Sequence, residues 1–259
     1  MNILDQIVEK KRAKIESRKS NISIEALQES ISAITPTNAF AKSIQVSIAS
    51  KGVAIIAESK KASPSAGIIS HDYDPAKIAQ TYERLGASCI SVLTEEDFFF
   101  GHHDDLIAVL EKINVPVLRK DFVIDPWQIF ESKTLGADCI LLIASILSDH
   151  QIHEFAELSN TIGLEYLIEV HDEAELLRVC DIPHALIGVN NRNLKDFSVN
   201  LDTTLRIREK LDPAQLLISE SGIKSKEDIA YLMHHGVNTF LIGESFMRDS
   251  SLLAAITND

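Results

Sequence analysis

The stretch "VPVLRKDFVIDPWQIFESKTLGADCILLIA", residues Val115–Ala144, contains the unit that decides the fold. Its two ends, Val115–Lys120 and Asp138–Ala144, are short apolar runs of the kind that form strands buried on both faces. The segment between them has helical spacing and closes on Gly136, and glycine is favoured just past a helix C-terminus. This order predicts one parallel β–α–β unit.

The same alternation continues on both sides of this unit, from Val53 onward. Six more apolar runs are Val53–Glu58, Ser88–Thr94, Leu164–Val170, Ala185–Asn190, Leu216–Ser221 and Thr239–Ser245. Segments with helical spacing separate the runs, such as "PAKIAQTYERLGA" and "SKEDIAYLMHHGV". Eight strand–helix units in a stretch of roughly 200 residues predict a closed (β/α)8 TIM barrel rather than an open sheet.

Helical patterns precede the barrel in residues 1–48. Hydrophobic residues fall near one helical face at Leu4, Ile7, Val8 and Ile15, and again at Ile24, Leu27, Ile31 and Ile34, before the breaker "TPTN". A chain of 259 residues could form two small domains or one large one. Because no interdomain linker is visible, we predict a single barrel domain over residues 1–259, with residues 1–48 as an N-terminal helical extension.

The composition excludes several classes of function. A net charge of −13 argues against nucleic acid or an anionic membrane as the main partner. No stretch approaches the roughly 18 apolar residues that a membrane span needs, and the first residues lack the pattern of a secretion signal. Three widely spaced cysteines, Cys89, Cys139 and Cys180, are expected to be buried free thiols rather than disulfides or metal ligands. We therefore expect a cytoplasmic protein.

Polar residues follow the predicted strands at their carboxyl ends, where barrels of this kind place their active sites. They are Glu58, Lys60, Thr94, Glu95, Arg119, Lys120, Glu169, Asn190, Asn191, Arg192, Glu220, Ser221, Gly222, Gly243 and Glu244. Taken singly, each of these residues could equally well be an ordinary loop residue without a function. Their joint occurrence favours a site, because the segments before the strands, "GA", "NVP" and "HGVN", are small and mostly neutral.

Two pairs of opposite charge within this set indicate acid–base chemistry. Strand alternation places Glu58 and Lys60 on the same side, with Ala54 and Ile56. Lys120 and Glu169 can face each other across the barrel mouth. Opposite charges held together in a dry pocket stay ionised, or shift their pKa values toward those useful for proton transfer.

The sequence also indicates a phosphate site, but neither a metal nor a dinucleotide cofactor. Gly222 and Gly243 follow the seventh and eighth strands, where barrels often bind phosphate, and "SPSAG" after the first strand supplies Ser63. Turn chemistry explains each glycine alone about as well, whereas their joint placement favours phosphate. The histidine pairs His102–His103 and His234–His235 lack acidic or cysteine partners at ligand spacing, and no glycine-rich dinucleotide loop is present.

Seven motifs carry a resemblance to a known family. They are "IAESKKASPSAG", "LTEEDFFFG", "PVLRKDFVIDPWQI", "LIEVHDEAEL", "IGVNNRNL", "ISESGI" and "FLIGESFM". Together they resemble indole-3-glycerol phosphate synthase, and the likeness runs almost end to end, including a start that is similar to that family's extension over the barrel. The resemblance implies ring closure, decarboxylation and dehydration of 1-(2-carboxyphenylamino)-1-deoxyribulose 5-phosphate in tryptophan biosynthesis, without a cofactor.

The resemblance also implies roles for individual residues. Lys120 of "LRKDF" matches the general acid and Glu169 of "LIEV" its partner acid or base. Glu58 and Lys60 match the pair that positions the substrate and assists dehydration, and the division of proton transfers among the four is left open. Asn190 completes the catalytic set; substrate contacts match Ser63, Pro64, Phe99, Phe122, Arg192, Leu194, Glu220 and Ser221, and phosphate contacts match Ser63, Gly222, Gly243 and the backbone of Glu244.

Four positions depart from the family pattern. Ser59 stands where an apolar residue is usual, Ala66 where lysine is usual, and His102 where a small polar residue is frequent. Glu244 places a carboxylate beside the expected phosphate, so that only its N–H can help there. Arg119, on the opposite side of its strand from the general acid, is predicted to be a structural cation paired in the barrel wall.

Two rival functions are open to test. Phosphoribosylanthranilate isomerase, another phosphate-binding barrel of the same pathway, needs a cysteine and an aspartate at strand ends, and no cysteine here ends a strand. A catalytically inactive barrel kept for binding would predict the loss of Lys120, Glu169 or Glu58, all of which are present. The expected partner is a phosphorylated small molecule, and association with other enzymes of tryptophan biosynthesis is left open.

Overall fold

The computed structural model describes residues 3–31, 39–193 and 197–257, and its centre is a closed barrel of eight parallel strands. The strands are β1 Ala54–Ser59, β2 Ala62–Ser63, β3 Gly67–Ile68, β4 Cys89–Leu93, β5 Val117–Lys120, β6 Cys139–Ile143, β7 Glu165–Val170, β8 Leu186–Asn190, β9 Leu217–Glu220 and β10 Thr239–Ile242. Strand β1 closes the ring by pairing with both β4 and β10. The predicted barrel is confirmed, while the antiparallel hairpin β2–β3 lies outside it in a segment expected to be a loop.

Helices follow the barrel strands as the sequence pattern predicts. The helices are α1 Ile3–Lys19, α2 Ile24–Ile31, α3 Ala39–Lys51, α4 Pro75–Arg84, α5 His103–Leu110, α6 Pro126–Thr134, α7 Asp149–Thr161, α8 Glu173–Leu177, α9 Asp202–Arg208, α10 Lys226–His234, α11 Glu244–Arg248 and α12 Ser251–Thr257. Helix α6 shows the local reason for a sharp start: Asp125 accepts from the backbone N–H of Trp127, and Pro126 occupies the first turn. Gly136, just past its end, has a φ of 91°, a left-handed conformation that glycine adopts without strain.

The core has two layers that follow from strand alternation. On β1, Ile55 and Ala57 pack outward against the helices, whereas Ala54 and Ile56 point into the barrel. On β5, Leu118 belongs to the interior cluster. Its inward direction places Lys120, two residues later, on the same side at the open end of the barrel.

The N-terminal helices pack against both ends of the barrel. Helix α3 buries Phe40 and Ile44 in the interior cluster, and the carboxylate of Glu165 accepts from the N–H groups of Phe40 and Ala41 at 2.7 and 3.0 Å. Helix α1 buries Ile7 and Ile15, two of its predicted apolar positions, together with Lys11. Ile34 and the breaker "TPTN" lie outside the described residues.

Two further expectations concern the surface and the thiols. Among the residues that the structure describes, no helix has both the length and the apolar character of a membrane span. Cys89 and Cys139 are buried free thiols as predicted, but the prediction is wrong for Cys180, which is exposed. The short apolar run before Cys180 ends a helix at the surface, where Leu177 is also 71% exposed.

Candidate active site

A cavity of about 1180 Å³ opens at the carboxyl ends of the barrel strands. Its lining includes Glu58, Lys60, Ser63, Pro64, Phe99, Lys120, Phe122, Glu169, Asn190, Arg192, Glu220, Ser221, Gly222, Gly243 and Glu244. These are all the site residues expected from the sequence except Leu194, which lies outside the described residues. The residues therefore meet in one place, although they come from seven of the barrel strands and the segments that follow them.

Lys120 is at the centre of the charged part of this cavity. Its ammonium nitrogen Nζ lies 3.4 Å from Oε2 of Glu220, 3.5 Å from Oε2 of Glu58 and 3.9 Å from Oε2 of Glu169. Burial would lower the pKa of Lys120, but the three carboxylates outweigh it and raise that pKa above its usual value. Lys120 is therefore protonated, and the charged groups around its ammonium are three carboxylates.

Glu58 and Lys60 form a direct ion pair on one wall of the cavity. Nζ of Lys60 donates to Oε1 of Glu58 at 2.6 Å, while the other oxygen of Glu58 faces Lys120. Burial would raise the pKa of Glu58, but the charges of Lys60 and Lys120 lower it overall. The predicted pair of β1 is present, and it is connected to Lys120 through a shared carboxylate.

Glu220 differs from the other two carboxylates because its oxygens have no hydrogen-bond partner. It is 1% exposed, at the end of β9, and both Oε1 and Oε2 are buried without a donor in hydrogen-bonding geometry. Burial raises its pKa to about 7, because the repulsion from Glu169 and Glu58 adds to burial and the attraction of Lys120 offsets only part of it. Glu220 can therefore gain or lose a proton near neutral pH.

Glu169 is held by a histidine that the sequence did not single out. Oε1 of Glu169 lies 3.3 Å from Nε2 of His171, and Nδ1 of that ring lies 3.1 Å from Oε2 of Glu175. Burial would raise the pKa of Glu169, but the contact with His171 and the charge of Lys120 lower it to about 2. The motif "LIEVH" contains the signal, since a histidine two residues after a strand-end glutamate lies on the same side of an extended chain.

Two glycines make room for the carboxylates. A Cβ atom at Gly188 would overlap Oε1 of Glu220, and one at Gly243 would overlap Oε1 of Glu58. Gly243 was expected only as a phosphate contact, and the structure gives it this second function. Gly188 was missed, because a glycine inside an apolar strand run indicates close approach without saying what approaches.

The remaining part of the cavity offers an apolar wall and a glycine-lined end. The rings of Phe99 and Phe122 pack with their centroids 6.1 Å apart, and Pro64 lies on the same cavity. At the other end, Gly222 has a φ of 85° and Ser221 a φ of 64°, so the backbone turns sharply beside the cavity. An aromatic group and an anionic group would therefore find separate surroundings in one pocket.

The structure explains three of the four departures from the family pattern. The hydroxyl of Ser59 is buried 2.9 Å from that of Tyr73, so it is not left without a partner. His102 caps α5, because its Nδ1 accepts from the backbone of the second following residue. The carboxylate of Glu244 accepts from Arg248 at 2.9 Å rather than being left beside the glycine-lined end. Nothing in the structure explains Ala66.

One group of potential metal ligands lies outside the cavity. Single ligand atoms of Glu96, His102 and His103 lie within 4.8 Å of one another, so the expectation that His102–His103 has no acidic partner is wrong. Both oxygens of Glu96 are already held, by Nη2 of Arg18 at 2.5 Å and by Nζ of Lys14 at 2.7 Å. A divalent cation bound there would lie against two positive side chains, so we assign no metal site to this group.

The comparisons by sequence point to one family, and the comparison by structure to the barrel fold. A family model of indole-3-glycerol phosphate synthase matches residues 4–258. The curated indole-3-glycerol phosphate synthases of Acinetobacter baylyi and Acinetobacter baumannii are each 44% identical over 247 residues, covering 95% of this chain and 91% of the relative. A solved N-acetylmannosamine-6-phosphate 2-epimerase from Clostridium perfringens gives a TM-score of 0.60 at 12% identity, covering 82% of this chain and 95% of its own, which shows the fold alone.

Proposed function

Because the chain belongs to the indole-3-glycerol phosphate synthase family, we propose that the lysines and carboxylates at its barrel mouth carry out that family's reaction. The enzyme is a carboxy-lyase of tryptophan biosynthesis, and it converts 1-(2-carboxyphenylamino)-1-deoxyribulose 5-phosphate into indole-3-glycerol phosphate, CO₂ and water. What is proposed is which residues perform each step. The observation that carries the assignment is the ammonium group of Lys120 among three carboxylates on the cavity wall.

Lys120 is the acid of the ring-closing step. When the ring carbon that bears the carboxylate attacks the ketone, negative charge develops on the ketone oxygen. The Nζ–H bond of Lys120 breaks as an O–H bond forms there, which leaves a neutral amine and a hydroxyl group. The carboxylates around Lys120 keep it protonated before this step. The proton leaves Lys120 only when the negative charge on the ketone oxygen attracts it more strongly than the carboxylates do.

The carboxylates stabilise the positive charge that ring closure creates on the substrate nitrogen. Glu169 stays ionised because its pKa is lowered to about 2, so it supplies a fixed negative charge during closure and accepts a proton in the later steps. Loss of CO₂ returns the electron pair of the breaking C–C bond to the ring system. In the dehydration step the C–O bond of the hydroxyl breaks as Lys60, paired with Glu58, gives a proton to the leaving oxygen, and Glu169 takes the proton that the neighbouring carbon loses as the ring double bond forms.

The two ends of the cavity orient the substrate. Phe99, Phe122 and Pro64 surround the aromatic ring, while Ser63 and the backbone near Gly222 and Gly243 receive the phosphate. Asn190, the last residue of β8, and Arg192, on the loop that follows, also line the cavity, and we assign to them contacts with the hydroxyl groups and the phosphate of the substrate. Holding both ends fixes the attacking carbon against the ketone, which supplies much of the rate enhancement by proximity.

Substrate turnover tests this assignment directly. The purified chain is incubated with the carboxyphenylamino-deoxyribulose phosphate without added metal, and indole fluorescence and CO₂ release are followed together. Both signals should rise in step. Binding without product would support an inactive barrel, and isomerisation of phosphoribosylanthranilate instead would support the rival enzyme.

The cellular setting belongs to the same proposal. The phosphorylated substrate and the buried free thiols Cys89 and Cys139 favour the cytoplasm. Association with other enzymes of the pathway remains a proposal that co-purification tests. Recovery of the protein in a membrane or extracellular fraction would argue against this setting.

A further inference from the structure

His171 contacts Glu169 without being part of the cavity lining. Glu169, at the end of β7, is 3% exposed, and its two oxygens face different cations. Oε2 lies 3.9 Å from Nζ of Lys120 inside the cavity, and Oε1 lies 3.3 Å from Nε2 of His171. The cavity lining includes Glu169 but not His171, so the histidine acts on the substrate only through the glutamate.

The other side of the imidazole ring faces a second carboxylate. Oε2 of Glu175 accepts from the backbone N–H of His171 at 2.8 Å and lies 3.1 Å from its ring nitrogen Nδ1. The side chains of His171 and Glu175 are only 13% and 17% exposed. Glu175 is itself fixed in place, because its backbone N–H donates to the capping residue Asp172 at 2.9 Å.

Two carboxylates close to one ring favour a charged imidazole: Nδ1 is hydrogen-bonded to Glu175, and Nε2 lies 3.3 Å from Glu169 outside hydrogen-bonding geometry. A neutral imidazole has one N–H group and one acceptor nitrogen, so it would turn a lone pair toward one of the two carboxylates. The doubly protonated ring donates to Glu175 through Nδ1 and attracts Glu169 by its positive charge. Burial would lower the pKa of His171, but the contacts with Glu169 and Glu175 raise it to about 10.

We propose that His171 is a positioning residue whose fixed positive charge keeps Glu169 ionised and oriented while Lys120 gives up its proton. The inference rests on the proposed roles of Lys120 and Glu169. Once the proton of Lys120 has moved to the ketone oxygen, Glu169 loses the cation on its cavity side. His171 is then the cation that remains in contact with it, and it holds the negative charge opposite the substrate nitrogen.

The groups that face this pair come from three other elements. Lys120 of β5 and Glu175 of α8 are charged, and Asn190 of β8 offers an uncharged amide to Glu169. Glu58 and Glu220 share Lys120 with Glu169, and the charges of Glu220 and Glu169 also repel each other. Without the imidazolium, Glu169 would therefore share one lysine with two other carboxylates, and its pKa would rise.

The test uses His171→Gln, which keeps a side chain that can donate a hydrogen bond but removes the charge. We expect the acid limb of the pH profile of kcat/KM to move up by about one pH unit or more, so that kcat at a pH on that limb falls on the order of tenfold with KM nearly unchanged. Glu175→Gln, which leaves the imidazole in place, should move the limb in the same direction by less. His153→Gln is the matched control, because His153 is an exposed histidine on α7.

An acid limb that stays in its native position in His171→Gln would overturn the inference. A second readout is independent of turnover: nitrogen NMR of the native protein should show both ring nitrogens of His171 protonated at pH 8, and a neutral ring there would also overturn it. Glu169→Gln separates the two levels of the argument. If Glu169→Gln kept full activity, the proposed role of Glu169 would be wrong, and so would the inference about His171. If Glu169→Gln were inactive but NMR of the native protein showed a neutral His171, only the inference about His171 would be wrong.

Discussion

Arg119 and Lys120 are neighbours on one strand, yet they belong to two different kinds of buried charge cluster. Arg119 points into the barrel wall, where Nη2 donates to Glu131 at 2.7 Å, Nη1 to Ser132 at 2.9 Å and Nε to Thr94 at 3.2 Å. It is 2% exposed. These contacts confirm the prediction that Arg119 is a structural cation.

Lys120, one residue later, has looser contacts. Its three carboxylate partners lie at 3.4 to 3.9 Å, and one of them, Glu220, has no hydrogen-bond partner for either oxygen. Buried polar groups are nearly always hydrogen-bonded, so the unpaired oxygens of Glu220 on the cavity wall are candidates for contact with the substrate. In the wall cluster, Arg119 with Asp121 and Glu131, the charged groups are paired without a ligand. In the cavity cluster, Lys120 with Glu58, Glu169 and Glu220, the oxygens of Glu220 have no hydrogen-bond partner.

Replacing Lys120 tests the functional half of this comparison and should have the largest effect. In Lys120→Met we expect kcat to fall by about 10³-fold or more, because a general acid contributes about 10²- to 10⁴-fold and its charge also stabilises the oxyanion. Substrate binding, measured by calorimetry, should change little. Turnover near the native rate would remove Lys120 from the mechanism.

Replacing Arg119 tests the structural half. Arg119→Met removes a buried cation from Glu131 and Asp121, which keep Arg18 and Lys11 as charged partners, and breaking a buried pair costs about 3–5 kcal/mol of unfolding free energy. Denaturant unfolding of this variant and of Lys120→Met gives a matched pair. A loss of stability that is larger for Lys120→Met than for Arg119→Met would contradict the division into two clusters.

Glu220 gives a second test of the difference between the two clusters. Ionisation of this buried carboxyl in the cavity cluster should lower the free energy of unfolding as the pH rises. Its pKa is raised from 4.5 to about 7, so the folded protein binds its proton more tightly than the unfolded chain does. The tighter proton binding stabilises the folded state fully below pH 4.5, and this stabilisation is lost as the pH rises through 7. The difference in unfolding free energy is about 3 kcal/mol at most.

Glu220→Gln removes this ionisation and should therefore gain about 1–3 kcal/mol relative to the native protein at pH 8, and much less at pH 5. Unfolding curves at the two pH values measure the difference, with Glu111→Gln as an exposed control. Activity should fall in the same variant. Equal effects on stability at pH 5 and pH 8 would show that Glu220 does not titrate between them.

Features that repeat along the chain could be predicted from the sequence, and features that depend on single contacts could not. All eight barrel strands were placed, because alternation of apolar runs and helical spacing is a property of many residues at once. Alternation places Arg119 and Lys120 on opposite sides of β5, but it was the family resemblance that identified Lys120 as the inward residue. The hairpin β2–β3 was missed, because two-residue strands contain no period to detect.

The contacts of His171 and Lys11 were missed for a different reason. His171 is visible in "LIEVH", but its role depends on Glu175, whose position is set by the capping of α8. Lys11 lies on the buried face of α1, where a hydrophobic pattern predicts an apolar residue. Its partner is 110 positions further along the chain, and no local pattern connects the two.

Lys11 joins the N-terminal extension to the wall cluster, and its replacement should have the smallest of these effects. Nζ of Lys11 lies 2.6 Å from Oδ1 of Asp121, and the two side chains are 8% and 2% exposed. Burial would raise the pKa of Asp121, but Lys11 and Arg119 lower it from 3.8 to about 2. The resulting stabilisation, about 2 kcal/mol, is present above pH 3.8 and is lost as the pH falls toward 2.

In Lys11→Met we expect a loss of about 1–2 kcal/mol at pH 7, because Asp121 keeps Arg119 and Thr94 as partners. The loss should shrink as the pH is lowered below 4, where Asp121 begins to bind a proton in the unfolded chain and in the variant without Lys11. Lys10→Met, one position away on the same helix, is the control, since Lys10 lies over the ring of Phe98 rather than against a buried carboxylate. If Lys11→Met and Lys10→Met lost equal stability at every pH, the charge of Lys11 would not be what holds the extension to the strand end that carries Lys120.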